Sequence, residues 1–382
     1  FLKILKKIGK KNKLKKLNSV VVFLTIIAII LSGSIYGASY FKKEAIKSQN
    51  NGDIEGIESA IKKALSLDPY NTTYRADLIN VYLSKYSDSR DANYGKEIMH
   101  QTEKLVKIGN HDSVTLTKAA ETYFKFGLID QGMALINKAL TLQPLVTSSY
   151  LNGAKSYLSV FNFYIERGEL EAAKEFADKG DREIKPLLLE SNQRSLRPMA
   201  KNNKLFYQLS ELKYYANEFD DFISYFERAY RLKYYYDFNL DVDGDDKIEL
   251  VSMWNAEGGN LGYERNKDEE FVKLNNSGEK YGVFDVLSFN LEPEKTYLVT
   301  FDARGDMTSD KATFYIMDTK SQERLQTPST PIELGSQWNT YEIEFTTQGD
   351  IGEDTSRARF VIGGENNGDM DLRNIKIFEK LN

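Results

Sequence analysis

Carboxylates alternate along one short acidic stretch of this sequence and could bind a metal ion. Residues 241–249 place Asp241, Asp243 and Asp245 at the first, third and fifth positions and Glu249 at the ninth. Alternating carboxylates in a tight loop can converge on one hard cation, and Ca²⁺ takes about six to eight oxygen ligands. The spacing therefore predicts a structural Ca²⁺ site. The alternative is a solvated acidic linker.

The loop resembles the calcium loops of dockerin-like and integrin-like repeats. This resemblance implies that the backbone carbonyl of the seventh residue, Lys247, also coordinates the ion. The loop differs from that pattern at Asp246, where glycine is usual, and at Ser252, where a bidentate acid is usual. Affinities of about 10⁻⁴ to 10⁻³ M are sufficient outside the cell, where Ca²⁺ is plentiful.

Charge is distributed very unevenly along the chain. The formal net charge is −5, but residues 1–18 contain eight lysines and no acid, whereas residues 241–382 contain 15 basic and 29 acidic residues. The C-terminal acidity argues against nucleic acid, and against an anionic polymer as a simple electrostatic ligand. It favours divalent cations. The chain has no cysteine, so neither disulfides nor thiol chemistry contribute.

An uncharged stretch over residues 17–41 predicts a membrane crossing. A helix of that length spans about 37 Å, enough to cross a hydrocarbon core of about 30 Å. The lysines ahead of it predict a cytoplasmic arm at residues 1–18, a transmembrane helix at residues 19–41 and an extracytoplasmic remainder. The alternative is a signal cleaved near Ser34. The chain begins at Phe1 rather than Met, and we expect a longer protein with further crossings upstream.

Residues 42–236 are helical in character and contain a recurring spacing. The positions Gly52, Ile57, Ile61, Ala64 and Pro69 recur with the same offsets at Gly127, Gly132, Ile136, Ala139 and Pro144. A glycine at an inter-helix turn, an alanine where two helices touch and a proline after the second helix are typical of tetratricopeptide repeats. Weaker copies begin at Gly168 and Asn217.

These spacings predict an all-α, tetratricopeptide-like solenoid with a concave groove for a protein partner. The alternative is an ordinary helical bundle, which has no reason to repeat a glycine-to-proline spacing. Three consecutive tyrosines, Tyr234 to Tyr236, close this region. Since no helix can bury three consecutive side chains on one face, we expect at least one of them to pack on the next domain. Residues 237–252 form the acidic junction.

Residues 253–382 change to the alternation of apolar and polar residues that is typical of strands. Tyr297, Val299 and Phe301 alternate with other residues, and so do Ile343 and Phe345. Short alternating segments separated by turn residues predict an antiparallel, all-β sandwich.

Three segments of this sandwich resemble the jelly-roll carbohydrate-binding modules attached to exported glycan enzymes. They are residues 291–297, residues 335–346 and residues 371–377. The resemblance implies a jelly roll that holds glycan through stacked aromatic rings, and it places Trp338 in the core. The candidates for stacking are Trp254, Tyr263, Tyr281 and Phe284. The alternative is a spacer that binds no ligand.

The sequence offers no catalytic constellation. His100 and His111 are the only histidines, and neither has partners at the spacing of a metal site or a nucleophile relay. Glu342 and Glu344 share a strand face, but paired carboxylates in an acidic domain are typically solvated surface.

The order of the parts resembles the C-terminal end of bacterial O-antigen ligase and polymerase family proteins that carry an exterior tetratricopeptide tail. The resemblance rests on the lysine-rich arm, the apolar helix and residues 60–71 followed by Tyr74 and Arg75. In that family the glycan-transfer residues lie further upstream, so none is assigned here.

We therefore expect a membrane-anchored, extracytoplasmic and non-catalytic part of a cell-surface polysaccharide assembly system. In this hypothesis the helical repeats bind protein partners and the β-sandwich binds glycan. The alternative is a purely structural cell-envelope scaffold with protein contacts only.

Overall fold

A computed structural model describes residues 2–194, 202–306, 312–320, 324–325, 330–347, 351–352, 355–362 and 368–381, with side chains from residue 21 onward except residues 192–194. The chain divides into two compact units, Phe1–Leu142 and Gln143–Asn382. The described residues form ten helices followed by eleven strands.

The first unit contains only helices among its described residues. They are α1 (Leu2–Asn50), α2 (Ile54–Leu67), α3 (Thr72–Ser89), α4 (Ala92–Ile108), α5 (Ser113–Lys125) and α6 (Ile129–Leu142). The second unit begins with four more helices, α7 (Thr147–Glu166), α8 (Leu170–Arg194), α9 (Asn203–Asn217) and α10 (Phe219–Glu227).

Helix α1 continues without a break through the apolar segment and the predicted boundaries at residues 18 and 41. Within the segment Val21–Asn50, an 18-residue stretch has a mean hydropathy of 2.2, and only 6% of that stretch is buried. It is the one helix in the described part of the chain that is long and apolar enough to cross a membrane, although a signal sequence near the N-terminus meets the same criteria.

Consecutive helices pack as pairs joined by tight turns, as the glycine spacing predicts. Gly52, Gly127 and Gly168 lie in the turns after α1, α5 and α7, with φ of +69°, +70° and +71°. Glycine suits these turns because a side chain is strained at such φ. Ala64 and Ala139, the predicted contact positions, are buried.

One helix pair, α3 and α4, has no glycine in its turn and therefore does not follow the glycine spacing. Its turn contains Arg90 in the left-handed conformation, with φ of +55°. Arg90 lies 38 residues after Gly52 and 37 residues before Gly127. The long gap between the two predicted copies therefore holds a full pair whose turn uses arginine in place of glycine.

The strands of the second unit form two antiparallel sheets. They are β1 (Tyr230–Tyr236), β2 (Val251–Asn255), β3 (Leu261–Asn266), β4 (Phe271–Asn276), β5 (Gly282–Phe289), β6 (Thr296–Gly305), β7 (Ala312–Asp318), β8 (Thr330–Pro331), β9 (Asn339–Thr346), β10 (Ser356–Ile362) and β11 (Gly368–Lys380). The six-stranded sheet has the order β3-β4-β11-β6-β9, with β1 also paired to β11, and the five-stranded sheet has the order β2-β5-β10-β7-β8.

The core of this sandwich lies between the inner faces of the two sheets. Phe301 of β6 is fully buried, and its ring centroid lies 5.1 Å from those of Phe314 on β7 and Phe360 on β10. Burying one such side chain contributes about 1.5–3 kcal/mol to folding. The predicted antiparallel sandwich is confirmed.

The boundary between helices and strands differs from the prediction at residue 236. Helix α10 ends at Glu227, and the three tyrosines lie on β1, which pairs with β11. Residues two apart on a strand share a face. On that face, Tyr236 contacts Phe206 of α9, and Tyr234 contacts both Tyr207 of α9 and Phe289 of β5. The division between the compact units also falls earlier, at Leu142, because α9 and α10 pack on the sandwich.

Helices α9 and α10 cover part of the outer face of the six-stranded sheet. Phe378 of β11 is fully buried there, with its ring 4.3 Å from Tyr225 of α10 and 6.4 Å from Tyr214 of α9. Beside it, the Nζ of Lys376 donates to Asp221 of α10 over 2.6 Å. This face is therefore part of the core of the unit.

Candidate functional site

The outer face of the five-stranded sheet carries a group of aromatic and charged side chains. Phe284, Phe314 and Phe360 occupy its inner face, so the alternate residues of β5, β7 and β10 lie on its outer face. We call six residues of this outer face the arginine–aromatic patch: Trp254, Asp285, Tyr315, Arg324, Arg357 and Arg359.

The strand register fixes the centre of the patch. Asp285, Arg359 and Tyr315 are directly opposite one another on β5, β10 and β7. Neighbouring strands lie about 4.8 Å apart, so the three residues form a row across the sheet. Trp254 belongs to the adjacent row, opposite Val283 of β5.

Asp285 is the single carboxylate of the patch and is fully buried. It accepts hydrogen bonds from Nε and Nη2 of Arg359, over 2.7 and 2.8 Å, and from Nη1 of Arg357, over 3.1 Å. The bond from Arg359 is bidentate, a geometry that adds both strength and orientation. The hydrogen bond to Asp285 also raises the pKa of the Arg359 guanidinium.

Guanidinium groups and aromatic rings alternate across the patch. The Arg359 guanidinium carbon lies 5.9 Å from the ring centroid of Trp254 and 5.8 Å from that of Tyr315, and Arg324 lies 4.5 Å from Tyr315. These distances are within the range of cation–π attraction. Trp254 remains 42% exposed, so an indole ring held beside a fixed arginine is open to solvent.

The four predicted glycan-binding aromatics separate into two pairs. Trp254 and Tyr281 make an edge contact at 5.7 Å and are both exposed. Tyr263 lies on the edge strand β3, where it pairs with the buried Leu274 and contacts Phe284 at 5.8 Å. Phe284 is 0% exposed, so its prediction as a stacking surface is wrong: its position on β5 points into the core.

The other five residues of the patch were not among the predicted site residues. Ala358 and Phe360 of β10 are buried, and the alternation of a strand places Arg357 and Arg359 on the outer face. The signal was therefore present for β10. Nothing in the sequence indicates that Asp285 or Tyr315, from strands distant along the chain, lies beside these arginines.

The outer face of the six-stranded sheet holds a second arginine–tryptophan group, which we call the Trp338 cluster. The members are Phe271, Asp302, Arg304, Trp338, Asp371 and Arg373. The guanidinium carbons of Arg373 and Arg304 lie 4.1 and 4.5 Å from the Trp338 ring, and Phe271 contacts the same ring at 5.7 Å. Trp338 is half-buried between two arginines, which differs from its predicted place in the core.

Each arginine of the Trp338 cluster has a carboxylate of its own. Arg304 pairs with Asp371 at 2.8 Å and with Glu269 at 3.6 Å, and Arg373 pairs with Asp302 at 3.3 Å. Two guanidinium groups therefore face three carboxylates. The positive charge of both arginines is therefore offset by carboxylates of the protein itself.

Glu342 and Glu344 of β9 lie on the exposed surface, as predicted, and both also have hydrogen-bond partners. Glu342 accepts hydrogen bonds from the Tyr225 hydroxyl over 2.8 Å and from Arg228 over 3.1 Å. Glu344 accepts from Lys380 over 3.0 Å and also from the Tyr230 hydroxyl. These carboxylates tether α10 and β1 to the sheet.

The acidic loop brings three of its predicted ligands together. Ligand oxygens of Asp241, Asp243 and Glu249 all lie within 4.8 Å of one another, and Asp243 and Glu249 are 5% and 3% exposed. Backbone N–H groups help to shape the loop: Gly244 donates to Asp241 over 2.6 Å and Val242 donates to Glu249 over 3.0 Å. Three carboxylates in this arrangement suit a hard divalent cation.

The other two predicted ligands make different contacts. Asp245 accepts from the backbone N–H of Lys247 over 2.9 Å and from its Nζ over 3.1 Å. The Lys247 carbonyl accepts from Arg265 over 3.5 Å. Asp246 keeps the left-handed conformation that usually calls for glycine, with φ of +61°, and it pairs with Arg265 at 2.7 Å.

The first unit contains a cavity of about 500 Å³ lined by α2, α3 and α4. Arg75 lies in its wall, is 7% exposed and donates to Gln101 over 2.6 Å and to the Pro69 carbonyl over 2.7 Å. Burial lowers the pKa of this guanidinium. The cavity is large enough for a side chain of a partner.

No family model matches the chain, and no curated protein matches it. Among solved structures, the chain is similar to a family 11 carbohydrate-binding module from Clostridium thermocellum in complex with a beta-1,3-1,4-mixed-linked tetrasaccharide. Their sequences are 16% identical, the match covers 36% of this chain and 92% of that chain, and the TM-score is 0.27.

Two further similarities have comparable scores. A structure described as CBM4 is 16% identical, with coverage of 34% of this chain and 86% of that chain and a TM-score of 0.30. The MamA protein is 19% identical, with coverage of 50% and 89% and a TM-score of 0.30. Similarities with such TM-scores do not assign a function to the chain.

Proposed function

We propose that this protein binds glycan through the arginine–aromatic patch. The observation that supports this function is the exposed ring of Trp254 beside the fixed guanidinium of Arg359, 5.9 Å away. The apolar face of a sugar ring stacks on an aromatic ring, while charged side chains form strong hydrogen bonds with its polar groups. Because Asp285 and Tyr315 hold Arg359 in place, little side-chain freedom is lost on binding.

Tryptophan emission tests this function directly because the chain has only two tryptophans. In the full chain in uncharged detergent micelles, Trp338→Phe leaves only Trp254 as the reporter, and Trp254→Phe leaves only Trp338. A panel of cell-surface glycans should change the emission of the first variant and not of the second. A panel that changes neither emission would contradict glycan binding and favour the scaffold function.

The proposed setting is the outer surface of a cell membrane, with α1 as the anchor and cell-surface polysaccharide assembly as the process. The support is the order of the parts: a lysine-rich arm, an apolar helix, helix pairs and a sandwich.

Since the chain has no cysteine, Asn12→Cys and Asn50→Cys each introduce one unique thiol. A membrane-impermeant maleimide should label Asn50→Cys on intact cells and Asn12→Cys only after lysis. The reverse pattern would contradict this orientation, and loss of residue 12 from the mature chain would indicate a cleaved signal.

The helical unit is proposed to bind a protein partner. The cavity between α2, α3 and α4 supports this role, since it offers apolar Leu65 beside charged Lys62 and Lys104. A purely structural scaffold would use the same cavity for envelope contacts. The glycan panel described above distinguishes a glycan-binding protein from a purely structural scaffold.

The acidic loop is proposed to bind Ca²⁺ through Asp241, Asp243 and Glu249. A ligand that binds only the folded state raises stability, by about 1–3 kcal/mol when it is present at about ten to a hundred times its Kd. Thermal unfolding followed by tryptophan emission should therefore shift upward with Ca²⁺ relative to EGTA. Asp243→Asn should remove the shift, whereas the exposed Glu279→Gln should retain it. Equal transitions with Ca²⁺ and EGTA would identify the loop as a linker.

A further inference from the structure

We infer that the ligand of the arginine–aromatic patch is an acidic glycan, a polysaccharide whose sugar residues carry carboxylates. This inference rests on the proposed glycan binding and names the chemical class of the glycan. The observation behind it is a local excess of positive charge: the patch holds three guanidinium groups and one carboxylate, and that carboxylate, Asp285, pairs with only two of them, Arg357 and Arg359.

Asp285 is fully occupied by two of these arginines. Its Oδ1 binds Nε of Arg359, and its Oδ2 binds both Nη2 of Arg359 and Nη1 of Arg357. One carboxylate can offset one positive charge, so the pair of arginines retains a net charge of about +1. Because Arg357 is 27% exposed, part of this charge reaches the solvent.

Arg324 adds a further positive charge at the edge of the patch. It is exposed and stacks on Tyr315, and no carboxylate among the described residues pairs with it. Stacking on a ring orients a guanidinium but does not neutralise it. Arg324 is therefore available for a carboxylate from a ligand.

The strand register sets the separation of the two available arginines. Met317 of β7 is opposite Arg357 on one side and bridges to Arg324 on the other. Two strand spacings place the Cα atoms of Arg357 and Arg324 about 10 Å apart on the same face. Guanidinium groups recognise carboxylates through paired, parallel hydrogen bonds. Two such groups suit a glycan with carboxylates on more than one residue.

The patch has the opposite sign to the region that contains it. Residues 241–382 hold 29 acidic and 15 basic residues, which argued against an anionic polymer. At physiological ionic strength, charges further than about 8 Å are largely screened, so a bound glycan responds mainly to the groups of the patch. The net acidity of the region and the positive charge of the patch are therefore compatible with one acidic ligand.

The test compares acidic oligosaccharides with their own methyl esters, which have the same sugars and no charge. The probes are oligogalacturonate, oligomannuronate and hyaluronan fragments, and binding to the full chain in uncharged detergent micelles is followed by Trp254 emission in the Trp338→Phe background. At least one acid should bind about tenfold more tightly than its ester. Arg324→Gln should remove most of this difference, whereas the matched Arg373→Gln in the Trp338 cluster should retain it. Folding of each variant is checked by its melting temperature.

The outcomes separate the inference from the function on which it rests. Esters or neutral glycans that bind as tightly as the acids, with no effect of Arg324→Gln, would overturn the inference and leave glycan binding in place. Dextran sulfate that binds through Arg324, while none of the carboxylated probes binds, would overturn the carboxylate assignment. If neither acids, esters, dextran nor dextran sulfate changes Trp254 emission, both the inference and the proposed function are overturned.

Discussion

The two outer faces of the sandwich are built from the same residue types and differ in how their charges are matched. In the Trp338 cluster, the guanidinium carbons of Arg373 and Arg304 lie 4.1 and 4.5 Å from the Trp338 ring. On the other face, the Trp254 ring lies 5.9 Å from the guanidinium carbon of Arg359 and 5.7 Å from the Tyr281 ring. In the Trp338 cluster, two arginines face Asp302, Asp371 and Glu269. In the arginine–aromatic patch, Arg357 and Arg359 share Asp285, and Arg324 pairs with no carboxylate among the described residues.

This difference shows that residue type does not distinguish a structural cluster from a binding surface. An arginine with a carboxylate of its own contributes to folding and has little left for a ligand. An arginine that shares a carboxylate, or has none among the described residues, must find its partner in solvent or in a ligand. The face that α9 and α10 cover is closed by protein contacts, and the patch keeps Trp254 exposed.

The largest expected effect concerns the covered face. Phe378→Ala should lower the free energy of unfolding by about 3–5 kcal/mol, because it leaves a cavity between Tyr214 and Tyr225. A smaller truncation on the other outer face, Val361→Ala, should cost less than about 1 kcal/mol because it removes fewer atoms and because Val361 is only partly buried. Urea unfolding followed by tryptophan emission measures both, since both tryptophans lie in this unit. Equal losses would contradict the distinction between the faces.

The second effect concerns the buried carboxylate of the patch. Asp285→Asn leaves two guanidinium groups without a carboxylate and should cost about 3 kcal/mol, as expected when one partner of a buried ion pair is removed. In a double-mutant cycle with Arg359→Gln, the combined loss should be smaller than the sum of the single losses. Additive losses would show that Asp285 and Arg359 do not stabilise each other.

The third effect is a pH dependence at the tether of α10. The hydrogen bond from Arg228, together with that from Tyr225, lowers the pKa of Glu342 below its usual 4.5. A lowered pKa in the folded state stabilises the protein above the unfolded value, and this contribution is lost as the pH falls through the folded value. The melting temperature of the wild type should exceed that of Glu342→Gln near pH 7, and the difference should shrink below about pH 4.5. Glu279→Gln is the control, and a difference independent of pH would refute the assignment.

The smallest effect compares two arginines in stability alone. Arg324→Gln should change the free energy of unfolding by less than about 0.5 kcal/mol, because among the described residues the Arg324 side chain stacks only on Tyr315. Arg373→Gln should cost up to about 1 kcal/mol, because it breaks the pair with Asp302. A larger loss for Arg324→Gln would indicate a structural role and weaken its assignment to ligand binding.

Local patterns predicted much of the fold because they depend on neighbouring residues. Alternation in β6 and β9 identified the sandwich, and the spacing from Gly52 and Gly127 identified two helix pairs. The turn between α3 and α4 was missed because Arg90 occupies it in place of glycine. Strand β1 was missed because its tyrosines follow two helices that are also rich in Phe and Tyr. In addition, its pairing partner β11 lies at the far end of the chain.

The site was predictable only in part for the same reason. Trp254 and Tyr281 could be proposed from residue type, and they do lie together on the surface. Phe284 has the same residue type but lies in the core, since its position on β5 points inward. The three carboxylates of the acidic loop are close in sequence, and the structure brings their ligand oxygens within 4.8 Å.

The sequence by itself determined the properties that act over a few residues: the apolar length of α1, the turns at glycine, the alternation of the strands and the order of the acidic loop. Tertiary structure decided which charges meet, because β5, β7 and β10 become neighbours only through backbone hydrogen bonds between distant segments. It also decided that α9 and α10 cover Phe378 while Trp254 stays in contact with solvent. Charge matching and coverage are properties of contacts between distant residues, and for that reason no local pattern records them.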